Sequence, residues 1–134
     1  MPNRPNMQIF KAFSFDAAHK LDFLPEGHPC TRLHGHSFQV EVVLNGQPDE
    51  NGMILDLGTV EEKLSHVRSE LDHTYLNDIE GLENPTLERL TQWIWQRLEG
   101  QISGLSEVTI RRDTSREGCT YFGPNGEVRP RGHS

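Results

Sequence analysis

Two cysteines in 134 residues, Cys30 and Cys119, are too few to build a disulfide framework. The chain has no apolar run near the ~18 residues that a spanning helix needs, which excludes a transmembrane helix. Residues 1–8 carry no apolar signal region, so the expectation is a cytoplasmic protein without a membrane partner. Positive charge is also scarce. Thirteen Lys and Arg against 20 Asp and Glu leave a formal charge of -7, and phosphate backbones demand a basic surface, so nucleic acid is excluded as a partner. A small anion stays compatible through local positives. Aromatic residues make up 7% and hydrophobic residues 34%, which gives a single copy a thin interior and leaves association between copies to supply further burial. The length fits one domain over 1–134, with a core at about 8–123 and loose tails at 1–6 and 124–134, both rich in proline or glycine.

The patterning that is present points to a mixed fold. Ile9 to Asp16 holds Phe10, Phe13 and Phe15 with no helix-period stripe and is expected to be a strand; a Pro- and Gly-punctuated loop from Leu21 to Pro29 follows. From His34 to Leu44 the even positions are His34, His36, Phe38, Val40, Val42 and Leu44, whereas the odd ones are mostly Gly or polar. That is a period-2 strand with one buried face, ended by the turn signal Asn45-Gly46. A helix capped by Asp56 or Thr59 carries Val60, Leu64, Val67 and Leu71 on one stripe. A second, with Asn84 as cap and Pro85 at its first position, carries Leu87, Leu90, Ile94 and Leu98 before Gly100 stops it. Val108 and Ile110 mark a third strand and Cys119 to Phe122 a fourth. The expected class is α+β: a four-stranded antiparallel sheet with two helices on one face, the other face needing a partner.

Seven histidines stand out. Residues two apart on a strand project to the same side, so His34 and His36 place two imidazoles ~6.5 to 7 Å apart along the buried face. His19, just after the first strand, completes a set of three if the two strands pair. Three neutral imidazoles with an open fourth position are the ligand set of a catalytic zinc, whereas a structural zinc is normally closed by four protein ligands. The competing reading is ordinary packed or surface histidine. Cys30, four residues before His34, is either an inert small hydrophobe or a thiolate activated by a nearby dication, acting as base, nucleophile or fourth ligand. Cys119 lies in an apolar strand and is assigned to the core. Asp72-His73 pairs a carboxylate with an imidazole, which makes a proton shuttle; a helix C-terminus that favours a cation explains His73 equally well and, on the residues alone, better. His28, His66 and His133 are given no role.

Six segments taken together resemble a known family: FSFDAAHKL (13–21), CTRLHGHSF (30–38), MILDL (53–57), LDHTYLND (71–78), ENPTLERL (83–90) and DTSREGCTYFG (113–123). They resemble the 6-pyruvoyltetrahydropterin synthase superfamily, and Cys-x-x-x-His-Gly-His looks most like its bacterial 6-carboxytetrahydropterin synthase branch, which serves queuosine biosynthesis. The resemblance implies the tunnelling fold, in which subunits close into a trimeric barrel and two trimers stack as a hexamer. It implies zinc on His19, His34 and His36, a catalytic thiol at Cys30, Asp72 and His73 as its proton-relay partners, and Thr86 as a contact of the pterin. The implied reaction is a lyase step on 7,8-dihydroneopterin triphosphate that releases triphosphate and acetaldehyde and leaves a 6-carboxy group on the ring. The alternatives are 6-pyruvoyltetrahydropterin synthase activity and a zinc-containing pterin-binding protein without turnover.

One segment departs from the pattern. The family usually places Glu-Thr after the third strand to accept the paired donors of the pterin edge, and a carboxylate is the strongest reader of two parallel donors. This chain has Asp113-Thr114 with a loop one residue longer and Glu117 beyond it. Asp113 is favoured over Glu117 by motif position. Lys20, Arg32 and Arg116 are the candidate positives for the triphosphate.

Overall fold

The computed structural model describes residues 4–131, apart from the side chain of Cys30; His133 and the outermost residues of both expected tails lie outside the described residues. Strand β1 (Met7–His19) runs antiparallel to β2 (His34–Gly46) along its whole length, from Met7↔Gly46 to His19↔His34. β1 therefore continues three residues beyond the expected Asp16, and His19 lies on the strand instead of after it. The extension follows from pairing: β2 begins at His34 and offers a partner to every residue up to His19. The alternation expected for β2 is present, with Phe38, Val40, Val42 and Leu44 buried on one face.

Helix α1 (Leu57–Leu71) starts at Asp56, whose side chain accepts from the Gly58 N–H at 3.0 Å. Its buried stripe is Val60, Leu64, Val67 and Leu71. Helix α2 (Leu87–Leu98) is capped by Thr86, whose Oγ1 accepts from the Arg89 N–H at 3.1 Å, and not by Asn84 as its sequence signature implied. Pro85 thus stands before the helix. It fixes an extended approach to the cap, and its carbonyl stays free to take a side chain from β1.

The sheet is completed by β3 (Thr74–Tyr75), β4 (Leu105–Arg112) and β5 (Glu117–Tyr121) in the order β3-β1-β2-β4-β5. It is a five-stranded mixed sheet, correcting the four-stranded antiparallel expectation, because β3 adds a parallel edge beside Ala17 and Ala18. Two residues are too few to show a period, so β3 leaves no mark in the sequence. A bulge between Val43 and Leu44 marks the β2–β4 ladder. Nearby, Gly104 turns the chain into β4 at φ +78, where a Cβ would lie 2.3 Å from the Asn45 carbonyl oxygen, so no larger residue fits.

Both helices pack on one face of the sheet, as expected. The core joins Phe15, Phe38, Val108 and Ile110 of the sheet to the α1 stripe and to Leu90, Trp93, Ile94, Trp95 and Leu98 of α2, and Phe15 stacks on Phe38 with centroids 4.8 Å apart. The other face stays open; Phe10 on β1 is 62% exposed. Among the described residues, no helix is long and apolar enough to cross a membrane.

Candidate metal centre and its cavity

Register dictates the centre. His19 and His34 are direct partners across β1 and β2, and His36 is two residues further along the same face. Their rings pack edge to face with centroids 4.5, 5.0 and 4.7 Å apart, and one ligand nitrogen from each lies within 4.8 Å of the others. The Nε2 atoms of His19 and His34 are 3.0 Å apart, close to the spacing of about 3.3 Å that two nitrogens adopt on a tetrahedral zinc with bonds of ~2.0–2.1 Å.

The hydrogen bonds set the tautomers. His19 Nδ1 meets the Pro85 carbonyl at 3.2 Å and His34 Nδ1 meets the Arg32 carbonyl at 2.6 Å. A carbonyl only accepts, so both Nδ1 atoms carry the proton and both Nε2 atoms present lone pairs to each other. Two facing lone pairs make no hydrogen bond; a cation resolves the contact. The backbone carbonyls already supply the outer partners that orient metal-ligating imidazoles. Charge state agrees with this. Burial pulls the His19 pKa down to about 4 against the Pro85 hydrogen bond, with His34, His36 and Arg112 lowering it further. His36 is also lowered, chiefly by burial and then by Arg112 and His34, with Glu117 opposing. The donor set therefore fits a borderline cation such as zinc.

Beside the histidines lies a cavity of about 350 Å³ lined by His19, Thr86, Glu88, Arg112, Glu117 and Cys119 among others. Val108, Ile110 and Arg112 alternate toward the helices on β4, and the Cα partner of Arg112 on β5 is Glu117. Arg112 Nη2 pairs with Glu117 Oε2 at 3.1 Å, and its Nη1 meets His36 Nε2 at 3.4 Å. Glu117, expected ahead of the fourth strand, is the first residue of β5 and lines the cavity. Asp113 is in the turn, its Oδ1 3.0 Å from Arg111 Nε, and is not among the cavity's lining residues. The structure thus places the two candidate carboxylates apart. Sequence reasoning missed Arg112; its signal was the alternation Val108, Ile110, Arg112, one step beyond the apolar pair. Thr86 lines the cavity while its Oγ1 caps α2.

Asp72 and His73 form a separate group with Asp16 at the β1 edge. Asp72 Oδ1 accepts from the Asp16 N–H at 2.9 Å, and its Oδ2 holds both Arg68 Nη2 at 3.1 Å and His73 Nδ1 at 2.9 Å. The Asp16 N–H, ahead of His73 and Arg68, keeps the Asp72 carboxyl below the usual carboxylate range. His73 adopts a left-handed backbone at φ 59, with its N–H bound to the Asp16 carbonyl at 2.6 Å. Its side chain is 80% exposed. His36 and His73 both line an open cavity of about 530 Å³ with Asp16, Gly35 and Ser37. Cys30 sits in a short helical turn, Pro29–Thr31, that leads into β2. Of the candidate positives, Lys20 pairs with Asp22 at 3.2 Å, and Arg116 lies in the turn before β5 at φ 54.

Residues 8–124 match the family model described as 6-pyruvoyl tetrahydropterin synthase. The chain belongs to the 6-pyruvoyl tetrahydropterin synthase family. It is 42% identical over 123 residues to 6-carboxy-5,6,7,8-tetrahydropterin synthase of Synechocystis sp., covering 87% of this chain and 93% of that protein. It is 36% identical to dihydroneopterin monophosphate aldolase of Pyrococcus furiosus, over 84% of this chain and 90% of that one. Among solved structures, it resembles 6-pyruvoyl tetrahydropterin synthase of Caenorhabditis elegans with a TM-score of 0.81 and 28% identity, covering 92% of this chain and 99% of the other. Members of the family thus carry differently named activities.

Proposed function

We propose that this chain is a zinc-dependent carbon–carbon lyase that converts 7,8-dihydroneopterin triphosphate to 6-carboxy-5,6,7,8-tetrahydropterin, releasing acetaldehyde and triphosphate, as a step of queuosine biosynthesis. The observation that carries the reading is the trio His19, His34 and His36, in which the Nε2 lone pairs of His19 and His34 are aimed at one another and the Nδ1 of each of those two is held by a carbonyl. The name of the Synechocystis relative supports the choice of product. Zinc on these histidines supplies Lewis acidity to side-chain oxygens of the substrate, which makes the neighbouring C–H protons acidic.

Each remaining residue has a task on the substrate. Cys30, as thiolate, takes a proton from the substrate side chain. His73, its tautomer fixed by Asp72, carries a proton to or from the adjacent carbon. Glu117 accepts the ring N–H and amino group of the pterin; its place in the histidine cavity favours it over Asp113, which is turned to Arg111. Thr86, at the mouth of α2, contacts the pterin edge. The open sheet face with Phe10 supports assembly as a trimer or a dimer of trimers, which light scattering after gel filtration measures.

The decisive experiment incubates zinc-loaded protein with 7,8-dihydroneopterin triphosphate and follows products by mass. Acetaldehyde with a 6-carboxy product is expected. A pyruvoyl product without acetaldehyde moves the assignment to the activity named for the Caenorhabditis elegans structure. Binding without turnover leaves a zinc-containing pterin-binding protein.

A further inference from the structure

Arg112 is a guanidinium without enough acceptors. It is 13% exposed, it points into the 350 Å³ cavity beside His19, Thr86 and Glu117, and its three nitrogens are unequally served. Among the described residues, Nη2 has Glu117 Oε2 at 3.1 Å, Nη1 has only the 3.4 Å contact to His36 Nε2, and Nε is buried with no partner. An arginine is always charged, so a buried N–H left unpaired is a standing cost that a ligand oxygen relieves.

Both of its existing contacts are ones the working site withdraws. If a metal takes His36 through Nε2, that lone pair is used; if through Nδ1, a neutral ring carries its proton on Nε2. Either way Arg112 Nη1 loses its acceptor. Glu117, once it accepts the paired donors of a pterin, no longer serves Nη2 alone. That part of the argument rests on the proposed function; the unpartnered Nε does not.

We infer that Arg112 is the anion-recognition residue of the histidine cavity, taking two oxygens of a carboxylate or phosphate group of the ligand on its Nε–Nη2 edge, with Glu117 holding the guanidinium until the ligand arrives. The planar fork matches a two-oxygen anion bidentately, which a lysine ammonium cannot do. The two sources of such an anion are a carboxylate on the pterin ring and the phosphate chain.

The test compares pterin-6-carboxylate, unsubstituted pterin and inorganic triphosphate. Binding is read by pterin fluorescence quenching and by calorimetry, on metal-free and zinc-loaded protein, for wild type, Arg112→Gln and Arg112→Lys. Wild type is expected to bind at least one anionic probe with an advantage of about tenfold or more over the corresponding binding in Arg112→Gln. Unsubstituted pterin should bind both alike. Loss confined to pterin-6-carboxylate assigns the ring carboxylate, and loss confined to triphosphate assigns the phosphate chain. Arg112→Lys keeps a charge opposite Glu117 and is expected to fold and still lose most of the advantage; it decides the matter if Arg112→Gln does not fold. Anion affinities equal in wild type and both folded variants overturn the inference. If no pterin binds even to wild type, the pterin reading falls by itself, and the triphosphate measurement still decides the role of Arg112.

Discussion

His19 makes the metal-free protein sensitive to mild acid. Its ring is 1% exposed, and burial lowers its pKa from the ordinary 6.5 to about 4. In the unfolded chain the same imidazole takes its proton near 6.5, so between those two values the unfolded state holds more protons than the folded one. The stabilising difference is therefore whole above pH 6.5, shrinks as pH falls, and is gone near pH 4. At roughly 1.4 kcal/mol per pH unit, the interval is worth about 3 kcal/mol, a large share of the ~5–15 kcal/mol that holds a domain folded. His36, lowered for the same reason, acts in the same direction. The assay is urea unfolding of chelator-treated protein, followed by the fluorescence of Trp93 and Trp95, at steps from pH 7.5 to 4.5. His19→Gln serves as the reference because it cannot titrate while the carboxylates, common to both proteins, cancel. Wild type should lose about 2 to 3 kcal/mol more than the variant across that range. Parallel loss in the two proteins would refute the claim that a buried neutral imidazole is the cause. Zinc should hold the wild-type curve flat to lower pH, since the ion and the proton compete for the same Nε2 lone pair.

Replacing Cys30 with Ala should leave zinc content unchanged by metal analysis and lower turnover by about a hundredfold or more; unchanged turnover removes the thiol from the chemistry. Glu117→Gln should weaken pterin binding by about tenfold or more in fluorescence titration, with Asp113→Asn near wild type, and the opposite ranking returns the anchor to Asp113. Asp72→Asn removes the charge and leaves one acceptor oxygen where two serve the His73, Arg68 and Asp16 donors. It should cut turnover by about a hundredfold or more with zinc retained, and a variant as fast as wild type excludes the pair as a proton relay.

Which parts of this were legible in the sequence depends on the range of the interaction that fixes them. The helices showed because Val60, Leu64, Val67 and Leu71, or Leu90, Ile94 and Leu98, repeat within the element itself. The β2 face showed because six alternating residues report one burial pattern. The histidine cluster needed one further assumption, that the first strand pairs with the second, and the register His19↔His34 bears it out. The cap of α2 was displaced from Asn84 to Thr86 because Pro85 serves the sheet: its carbonyl is spent on His19, a contact 66 residues distant in the chain that no local signature encodes. β3 is smaller still, two residues recruited by the neighbouring edge of β1.

The proposed pterin anchor shows how a motif and a register give different answers. Motif position asks which carboxylate follows the strand and precedes Thr114, and that is Asp113. A strand asks which residues share parity with Ile110, and those are Val108 and Arg112 on β4 and, opposite them, Tyr121, Cys119 and Glu117 on β5. Asp113 lies past the inner face in the turn, ion-paired to Arg111, and Arg112 stands in the inner row beside His36. An arginine there needs an acid, and Glu117 is the acid that register provides. Register thus brings a carboxylate and a positive charge to the same cavity from neighbouring strands, beside His19. Removing the acid alone should therefore cost more stability in urea unfolding than removing the pair: Glu117→Ala leaves the Arg112 guanidinium, 13% exposed, without its carboxylate, whereas the double variant leaves no unpaired charge, and a double variant less stable than Glu117→Ala alone would refute this.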